Sequence, residues 1–195
     1  MAILKTDILT FVNRALQRSE TDIDIEIQLA LNDLSNEDFL EAEDTDQTLA
    51  SGDLTLDYPT DYRDLVSIVL INSSSVRGDD LIALPQGFKQ YQNLRSNDST
   101  TDSPEYYAEF ERKFHLWRPP GGYFTTEIKY YRFHPQTVGN IIFPDEFRNC
   151  IYYGAAYFRA LTFGLTRLIN IWGPQYFSEK GQRTWDNLGV ARITQ

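Results

Sequence analysis

Residues 52–70 read Gly52-Asp-Leu-Thr-Leu-Asp-Tyr-Pro-Thr-Asp-Tyr-Arg-Asp-Leu-Val-Ser-Ile-Val-Leu, and this stretch of the 195-residue chain decides the fold class. Leu54 and Leu56 alternate with polar residues, as they do in a half-buried strand. Pro59 fixes the backbone of a turn, and the β-branched run that follows it is typical of a second strand. The stretch therefore predicts a strand, a proline turn and a strand.

Helical spacing lies on both sides of this β region. Thr6 is a good N-cap for a first helix, and Thr21 or Asp22 can cap a second one after a short break. Asp145 can cap a helix that begins the C-terminal block. Apolar residues recur at helical spacing at Ile8, Val12, Leu16, Ile23, Ile27, Leu31, Leu34, Phe147, Ile151, Gly154, Phe158 and Leu161. We therefore predict an α+β protein, in which a helical bundle from both chain ends carries an inserted antiparallel β region.

The predicted organisation has four parts. Residues 1–46 form an N-terminal helix pair, 47–143 the inserted β region and 144–188 the C-terminal helices of the bundle, while 189–195 form a flexible tail. The acidic residues 41–51 are predicted to be a linker. Gly173-Pro174 is expected to interrupt the last helical block.

Within the β region the pattern is more detailed. Residues 106–110 and 113–117 predict a hairpin that ends at the turn Pro119-Pro-Gly-Gly. Residues 125–133 predict another strand. Pro85 suits the start of a short helix that carries Phe88, Tyr91 and Leu94.

The net charge of −10 is distributed unevenly along the chain. Between Ser19 and Tyr62 there are 14 Asp or Glu residues and no Lys or Arg. Such a protein does not bind nucleic acid by releasing counterions. The acidic run is either a solvated face or a surface that meets a basic partner or a DNA polyanion that must not adhere.

The sequence contains no pattern typical of catalysis. Cys150 is the single cysteine, so the chain cannot form an internal disulfide or a cysteine-based metal site. His115 and His134 have no suitably spaced partners, and we expect structural roles for both. Arg77-Gly-Asp is interpreted as an ordinary turn. We therefore expect no enzyme, no catalytic, cofactor-binding or metal site, and no cofactor.

The N-terminus lacks the basic region and apolar core of a signal peptide. No apolar run approaches the length of a membrane span. We expect a protein that is cytoplasmic where it is made and has no membrane partner.

In the order of its predicted elements and in its local sequence motifs, the chain resembles the head-to-tail adaptor (connector) proteins of tailed bacteriophages. An acidic helix pair is followed by four motifs typical of that family. They are Leu56-Asp-Tyr-Pro-Thr-Asp-Tyr-Arg-Asp-Leu-Val-Ser-Ile-Val-Leu, then Pro104-Glu-Tyr-Tyr-Ala-Glu-Phe with Phe114-His-Leu-Trp-Arg-Pro-Pro, then Ile128-Lys-Tyr-Tyr-Arg, and then Ile142-Phe-Pro-Asp-Glu-Phe before a Tyr- and Ala-rich helix. The resemblance covers most of the chain and rests on the succession of these motifs.

The resemblance implies a structural virion protein of the phage neck that has no catalytic residues. About a dozen copies would form a homo-oligomeric ring beneath the portal protein. A tail protein or a stopper or nozzle protein would bind the other side of the ring. Double-stranded DNA would pass through the central channel without specific binding.

Two sets of site residues follow from the resemblance. In that family a C-terminal segment docks into the neighbouring ring, which would make Val190, Arg192 and Ile193 the contacts of a portal-docking tail. The acidic run would supply carboxylates that face the DNA channel. The candidates for this role are Glu37, Asp38, Glu41, Glu43 and Asp44.

Two alternatives stay open at this point. The chain could be another ring of the neck, such as a stopper or tail-completion protein, which would not contact the portal. It could also be an aromatic-rich β module that binds a ligand such as a sugar. Trp117, beside Pro119-Pro120 and Tyr123-Phe124, is the feature that favours the second alternative.

Overall fold

A computed structural model describes residues 3–97 and 100–187 of the chain. The chain divides into two compact units. One consists of residues 1–40 together with 133–195 and is called the helical unit below. The other consists of residues 41–132 and is called the sheet unit. Each unit is described by itself.

The helical unit contains four α-helices and a short 3₁₀ turn at Asp145–Phe147 in its described part. The helices are α1 (Lys5–Leu16), α2 (Asp24–Ser35), α4 (Arg148–Thr162) and α5 (Thr166–Asn187), where α3 belongs to the sheet unit.

The sheet unit contains nine strands and one helix in its described part. In chain order they are β1 (Glu41–Asp44), β2 (Thr48–Leu49), β3 (Thr55–Asp57), β4 (Tyr62–Asn72), β5 (Arg77–Asp80), β6 (Ile82–Ala83), α3 (Gly87–Asn97), β7 (Tyr106–Phe110), β8 (Lys113–Trp117) and β9 (Phe124–Arg132).

The first two helices form because their apolar residues recur on one face, as predicted. Helix α1 buries Ile8, Val12 and Leu16, which lie one turn apart. Its N-cap is Leu4 and makes no side-chain capping bond, so the prediction of Thr6 as the cap is wrong. After the helix, the side chain of Asn13 makes two hydrogen bonds to the backbone of Glu20, at 3.0 and 2.7 Å. These bonds hold the loop that leads to α2.

The helices do not form the predicted bundle from both chain ends. Helix α4 packs closely on α5, on α2 and on α1, and no other pair of described helices packs as closely. In a bundle each helix contacts two neighbours around a shared axis, whereas here one helix lies in the middle of the others. The β region also differs from the prediction, because it forms two sheets and carries a helix of its own. The protein is a mixed α+β protein, but its prediction as a helical bundle with one inserted antiparallel β region is wrong.

Small residues allow the neighbours of α4 to come close. Gly154, Ala155, Ala156 and Ala160 are all buried on this helix. A Cβ atom added at Gly154 would lie 2.9 Å from the ring of Tyr176 and 3.0 Å from the Cβ of Ala30. Real Cβ atoms do not approach other atoms so closely, so α2 and α5 can pack here only because residue 154 has no side chain.

Helix α5 continues through Gly173-Pro174, although the sequence predicted an interruption there. A proline removes one backbone donor and disfavours a helix interior, but surrounding packing can override this preference. Gly173 is buried against Tyr157, whose ring would lie 3.2 Å from an added Cβ atom. Pro174 itself is exposed. Close packing on one side and solvent on the other are compatible with an uninterrupted helix.

Arg159 connects α4 to α2 and to the loop before α2. Its guanidinium donates a hydrogen bond of 2.8 Å to Glu26 and one of 2.6 Å to Glu20, and it lies 4.5 Å from the centre of the Phe163 ring. Glu26 is buried, and Thr162 donates a further bond of 3.2 Å to the same carboxylate. The bond from Arg159 also holds the pKa of Glu20 below its ordinary value. A buried carboxylate of this kind is tolerated because a cation and a hydroxyl both face it.

The strands of the sheet unit form two sheets. The five-stranded sheet has the order β1-β9-β4-β5, with β2 also paired to β9, and all of its pairs are antiparallel. The four-stranded sheet has the order β3-β8-β7-β6, and its β6–β7 pair is parallel. The predicted hairpin is confirmed, because β7 and β8 pair around a two-residue turn in which Glu111 and Arg112 both have positive φ.

The predicted linker over residues 41–51 is wrong at residues 41–44 and 48–49, which form β1 and β2. Strand β1 pairs with β9, which places Glu41 opposite Tyr131 and Glu43 opposite Lys129. Strand β2 pairs with the beginning of β9. An acidic strand can lie at this position because β1 is an edge strand, where charged side chains are common.

The stretch that decides the fold class carries the chain from one sheet to the other. Strand β3 belongs to the four-stranded sheet and β4 to the five-stranded sheet, and the turn at Pro59 joins them. Tyr58 and Tyr62 flank this turn with ring centres 4.2 Å apart, and both hydroxyls donate to Glu109. Burial and this carboxylate raise the pKa of both tyrosines above the ordinary value. The core between the sheets contains Leu49, Leu56, Ile68, Leu70, Leu81, Phe114, Leu116, Ile128 and Tyr130.

Helix α3 packs against a second cluster formed with the four-stranded sheet. Leu84, Tyr91 and Ala108 are the buried residues of this cluster, and Trp117 packs against it. His115 lies among aromatic rings, with ring centres 4.8 Å from Phe88 and 5.3 Å from Tyr91. Burial lowers the pKa of His115 below the ordinary value, which favours the neutral imidazole.

Two further side chains of the helical unit are fully enclosed. Cys150 has no exposed surface, and burial raises the pKa of its thiol to about 12. His134 is buried between Ser35, whose hydroxyl accepts a bond from the backbone of His134, and Phe143, whose ring stacks on the imidazole. The backbone N–H of Ile142 donates to the Nε2 atom of His134 at 3.2 Å. Packing and local hydrogen bonding account for both residues.

We predict that Gly154→Ala destabilises the protein although alanine is the better helix former. The new methyl group would overlap the buried Tyr176 ring, and overpacking of this kind costs about 1–3 kcal/mol. Gly181→Ala is the matched control, because an added Cβ there meets no atom within 4 Å. It should stabilise the protein by about 0.5–1 kcal/mol. Urea unfolding of both variants checks this, and equal effects would contradict the packing argument.

We also predict that Arg159→Met lowers the free energy of unfolding by about 3–5 kcal/mol, since Glu26 would remain buried without its cation. A second change, Glu26→Gln, should recover part of that loss because it removes the buried charge.

Lys113→Met is the control for the loss of an ion pair. Lys113 pairs with Asp57 at 3.0 Å, but both side chains are largely exposed, and such pairs contribute about 0–1 kcal/mol. If Arg159→Met costs no more than this control, the buried pair does not stabilise the helical unit.

Candidate interaction surfaces

The five carboxylates that were predicted to face a DNA channel fall into two groups. Glu37 and Asp38 follow α2 in the helical unit, whereas Glu41, Glu43 and Asp44 lie on β1 in the sheet unit. They are close in sequence but belong to separate compact units. The structure therefore describes two local acidic sites.

Glu37 is part of a polar cluster between α2 and α5. Lys180 lies 3.1 Å from Glu37 and 3.0 Å from Asp33, and Tyr176 donates a hydrogen bond to the same Asp33 carboxylate. Burial alone would lower the pKa of Lys180, but its bonds to Asp33 and Glu37 raise it above the ordinary value. Burial, followed by the bond to Asp33, raises the pKa of Tyr176 as well. Glu37 thus has a structural partner, and it shares the positive charge of Lys180 with Asp33.

The carboxylates of β1 occupy both sides of an edge strand. Glu41 and Glu43 are exposed, while Ala42 between them packs against the core of the sheet unit. Asp44 is half-buried and accepts hydrogen bonds from the backbone of Asp46 and, at 2.8 Å, from the side chain of Gln47. Of the three residues, Glu41 and Glu43 present their charge to solvent, whereas Asp44 also holds a local turn.

The predicted portal-docking residues Val190, Arg192 and Ile193 lie outside the described residues. The description ends at Asn187, the last residue of α5. The role of the tail stays a prediction.

The aromatic group that favoured a sugar-binding module is largely internal. Trp117 is half-buried, packs against Tyr106 at 5.7 Å and has the Arg118 guanidinium 5.1 Å from its ring centre. Pro119 and Pro120 are buried. Flat sugar-binding sites use open aromatic faces, and in this group only Tyr123 is well exposed.

Large apolar side chains are exposed in both units. In the helical unit Ile25 on α2 is 73% exposed and Phe177 on α5 is 54% exposed. In the sheet unit Val76 and Ile82 are 59% and 57% exposed and flank β5. Apolar groups on helix faces and strand edges are suited to contacts with other proteins rather than to catalysis.

Strand β5 was not found from the sequence. Arg77-Gly78-Asp79 was interpreted as an ordinary turn, but these residues form an exposed edge strand of the five-stranded sheet. The residues between Val76 and Ile82 show no period-two alternation that could have revealed it. The β-branched strand before it, β4, was the only local signal of a partner.

Neither a metal-binding group of side chains nor a membrane-spanning helix occurs within residues 3–97 and 100–187. No group of three or more His, Cys, Asp or Glu side chains in this part of the chain could hold a metal ion. No helix there is both long enough and apolar enough to cross a bilayer.

Comparison with known protein families identifies the family of this chain. The model of the SU10 adaptor protein family matches residues 2–186, which is nearly the whole chain. No curated protein matches the sequence. The match includes most of the helical unit, all of the sheet unit and every motif on which the resemblance rested. The chain therefore belongs to the SU10 adaptor protein family, a family of phage head-to-tail adaptors.

Proposed function

We propose that this protein forms a ring in the neck of a tailed phage, docks beneath the portal protein and contributes to the wall of the DNA channel. The observation that carries the proposal is the family match over residues 2–186. The family is one of structural phage adaptors and not of enzymes, so a virion component with a structural role follows from membership. Ring formation, docking beneath the portal and the contribution to the channel wall go beyond what family membership gives, and they are what we propose.

Contacts with other subunits are supported by the exposed apolar residues. A closed ring needs two different surfaces on each copy, because every copy contacts its two neighbours in the same rotational sense. The helical unit offers Ile25 and Leu29 on one exposed stripe of α2, and Ile171 and Phe177 on α5. Such residues would be buried between copies about the central axis.

The channel wall is supported by the charge of the chain. A net charge of −10 repels phosphate groups, so a duplex could slide past the wall without forming ion pairs. Glu41, Glu43 and Asp38 are the exposed members of the five candidates. Glu37 and Asp44 contribute charge but also hold local structure.

The partners in this proposal are the portal protein on one side of the ring and a tail, stopper or nozzle protein on the other. A stopper ring without portal contact is the competing assignment. A pull-down with the portal protein separates the two, because an adaptor should bind the portal directly and a stopper should bind only when an adaptor is already present.

The C-terminal tail provides the first test of portal docking. We predict that deletion of residues 189–195 abolishes binding to the portal, because Val190 and Ile193 would no longer bury apolar area on it. Anchors that act only on the portal do not stabilise the free protein, so the thermal unfolding midpoint should stay unchanged. Pull-down and thermal unfolding of the same preparation give both results.

Thr194→Ala serves as the control for the tail, since it alters neither apolar anchor nor charge. A deletion that leaves portal binding at the wild-type level would show that docking uses another surface.

The channel assignment has a separate test. We predict that particles with Glu41→Lys and Glu43→Lys assemble but eject DNA slowly, because the new cations would pair with passing phosphates. Higher salt should relieve the defect by screening these pairs. Glu37 is left unchanged, since a lysine there would face Lys180 and disturb the fold.

Asp7→Lys with Glu146→Lys makes the same change of charge on exposed residues outside the acidic run. This control should eject DNA at the normal rate. Normal ejection by the β1 variant at every salt concentration would mean that the β1 carboxylates do not line the channel.

A further inference from the structure

Two edge strands, separated only by Leu81, follow each other in residues 77–83. Strand β5 ends the five-stranded sheet and β6 ends the four-stranded sheet. All four residues of β5 are exposed, and β5 pairs with β4 on one side only within the described residues. The outer side of β5 thus presents backbone donors and acceptors, which is the surface to which an additional strand can bind.

A cleft with an apolar floor lies beside this edge. Its volume is about 430 Å³, and its lining includes Leu70, Leu81, Pro104 and Phe124. Leu70, Leu81 and Pro104 are buried, so the floor is fixed by the core of the sheet unit. The exposed Val76 and Ile82 belong to the same lining and extend the apolar surface towards solvent. The cleft can accept the apolar side chains on one face of an added strand.

The rim of the cleft is acidic. Asp79, Asp80 and Glu105 are exposed members of the lining. Arg77, the basic member, makes two contacts of 2.9 Å with the Glu127 carboxylate, which also lies 3.3 Å from Lys129. The three exposed carboxylates outnumber this one cation, so the rim stays acidic. A ligand of this site should therefore carry Lys or Arg on the side that faces the rim.

Strand β1 of a second copy is a poor occupant. The other edge of the five-stranded sheet is β1, which carries Glu41, Glu43 and Asp44. Pairing β1 with β5 would place carboxylates opposite carboxylates, and like charges at facing positions destabilise a strand pair. The complementary occupant is an extended segment in which basic and apolar residues alternate.

We propose that residues 76–83 bind an extended basic segment of another virion protein, which adds to β5 as a further strand. The identity of the donor as a virion protein rests on the function proposed above, whereas the chemistry of the site does not. Backbone hydrogen bonds hold the added strand, the cleft receives its apolar side chains, and Asp79, Asp80 and Glu105 receive its cations.

The binding chemistry is tested on the free, full-length protein with a short blocked peptide in which Lys and Val alternate. The peptide should bind, should be released as salt rises, and should slow hydrogen exchange at residues 77–83 but not at 41–44. A peptide in which Glu replaces Lys is the control probe and should not bind.

Charge reversal at the rim identifies the site. Asp79→Lys with Asp80→Lys should weaken binding about ten-fold, the size expected when two exposed ion pairs become repulsions. Glu41→Lys with Glu43→Lys makes the same change at the opposite edge of the sheet and should leave the affinity unchanged. Equal losses in both variants, or protection outside residues 77–83, would overturn the proposal, as would the absence of binding.

The assembled neck tests the identity of the donor. Residues 77–83 should exchange more slowly in the complete neck than in the free protein, and the Asp79→Lys, Asp80→Lys variant should lose this protection. If the protein binds the portal and enters necks while residues 77–83 still exchange freely, this inference fails and the proposed function stands. If the peptide binds as expected but the protein neither binds the portal nor enters necks, the proposed function fails instead.

Discussion

The helical unit depends on the close approach of three helices at Gly154. Because residue 154 has no side chain, the Tyr176 ring can lie against α4 while Ala30 of α2 packs beside it. This position allows the Tyr176 hydroxyl to reach Asp33, and Lys180, one turn further along α5, reaches both Asp33 and Glu37. The absence of a side chain at residue 154 thus allows α5 to lie where Lys180 reaches Asp33 of α2 and Glu37 just after it. The small residues around Gly154 explain why α4, and not a symmetric bundle axis, is the centre of the unit.

Local patterns in the sequence were sufficient to predict the elements that can be recognised from their own residues. The hairpin of β7 and β8 follows the alternation of Phe114 and Leu116 with His115 and Trp117, and its bounds are as predicted. The short helix α3 was found from Phe88, Tyr91 and Leu94 for the same reason. Elements that depend on distant partners were missed. Strands β1 and β2 exist because they pair with β9, and the continuity of α5 through Pro174 depends on packing against Tyr157.

For the candidate surfaces, too, the sequence could not predict features that depend on distant residues. Composition identified an acidic run, but it could not distinguish Glu37, which pairs with Lys180, from Glu41 and Glu43, which face solvent. That distinction depends on contacts between residues that are far apart in the chain. The edge at Arg77–Asp80 could not be predicted for a different reason, because a strand whose residues are all exposed has no apolar alternation in its sequence. Family membership, in contrast, was accessible from the order of the motifs, since that order is a property of the whole chain.

The enclosed Cys150 thiol has a practical consequence for the study of an assembled neck. It is the only cysteine of the chain, it has no exposed surface, and its pKa of about 12 keeps it protonated at neutral pH. Thiol reagents react with the exposed thiolate, so the native protein should stay unlabelled by maleimides and spin labels. Any cysteine introduced at the surface would then be the single reactive position. Distances between the adaptor and neighbouring virion proteins could be measured in whole particles without first removing a native residue.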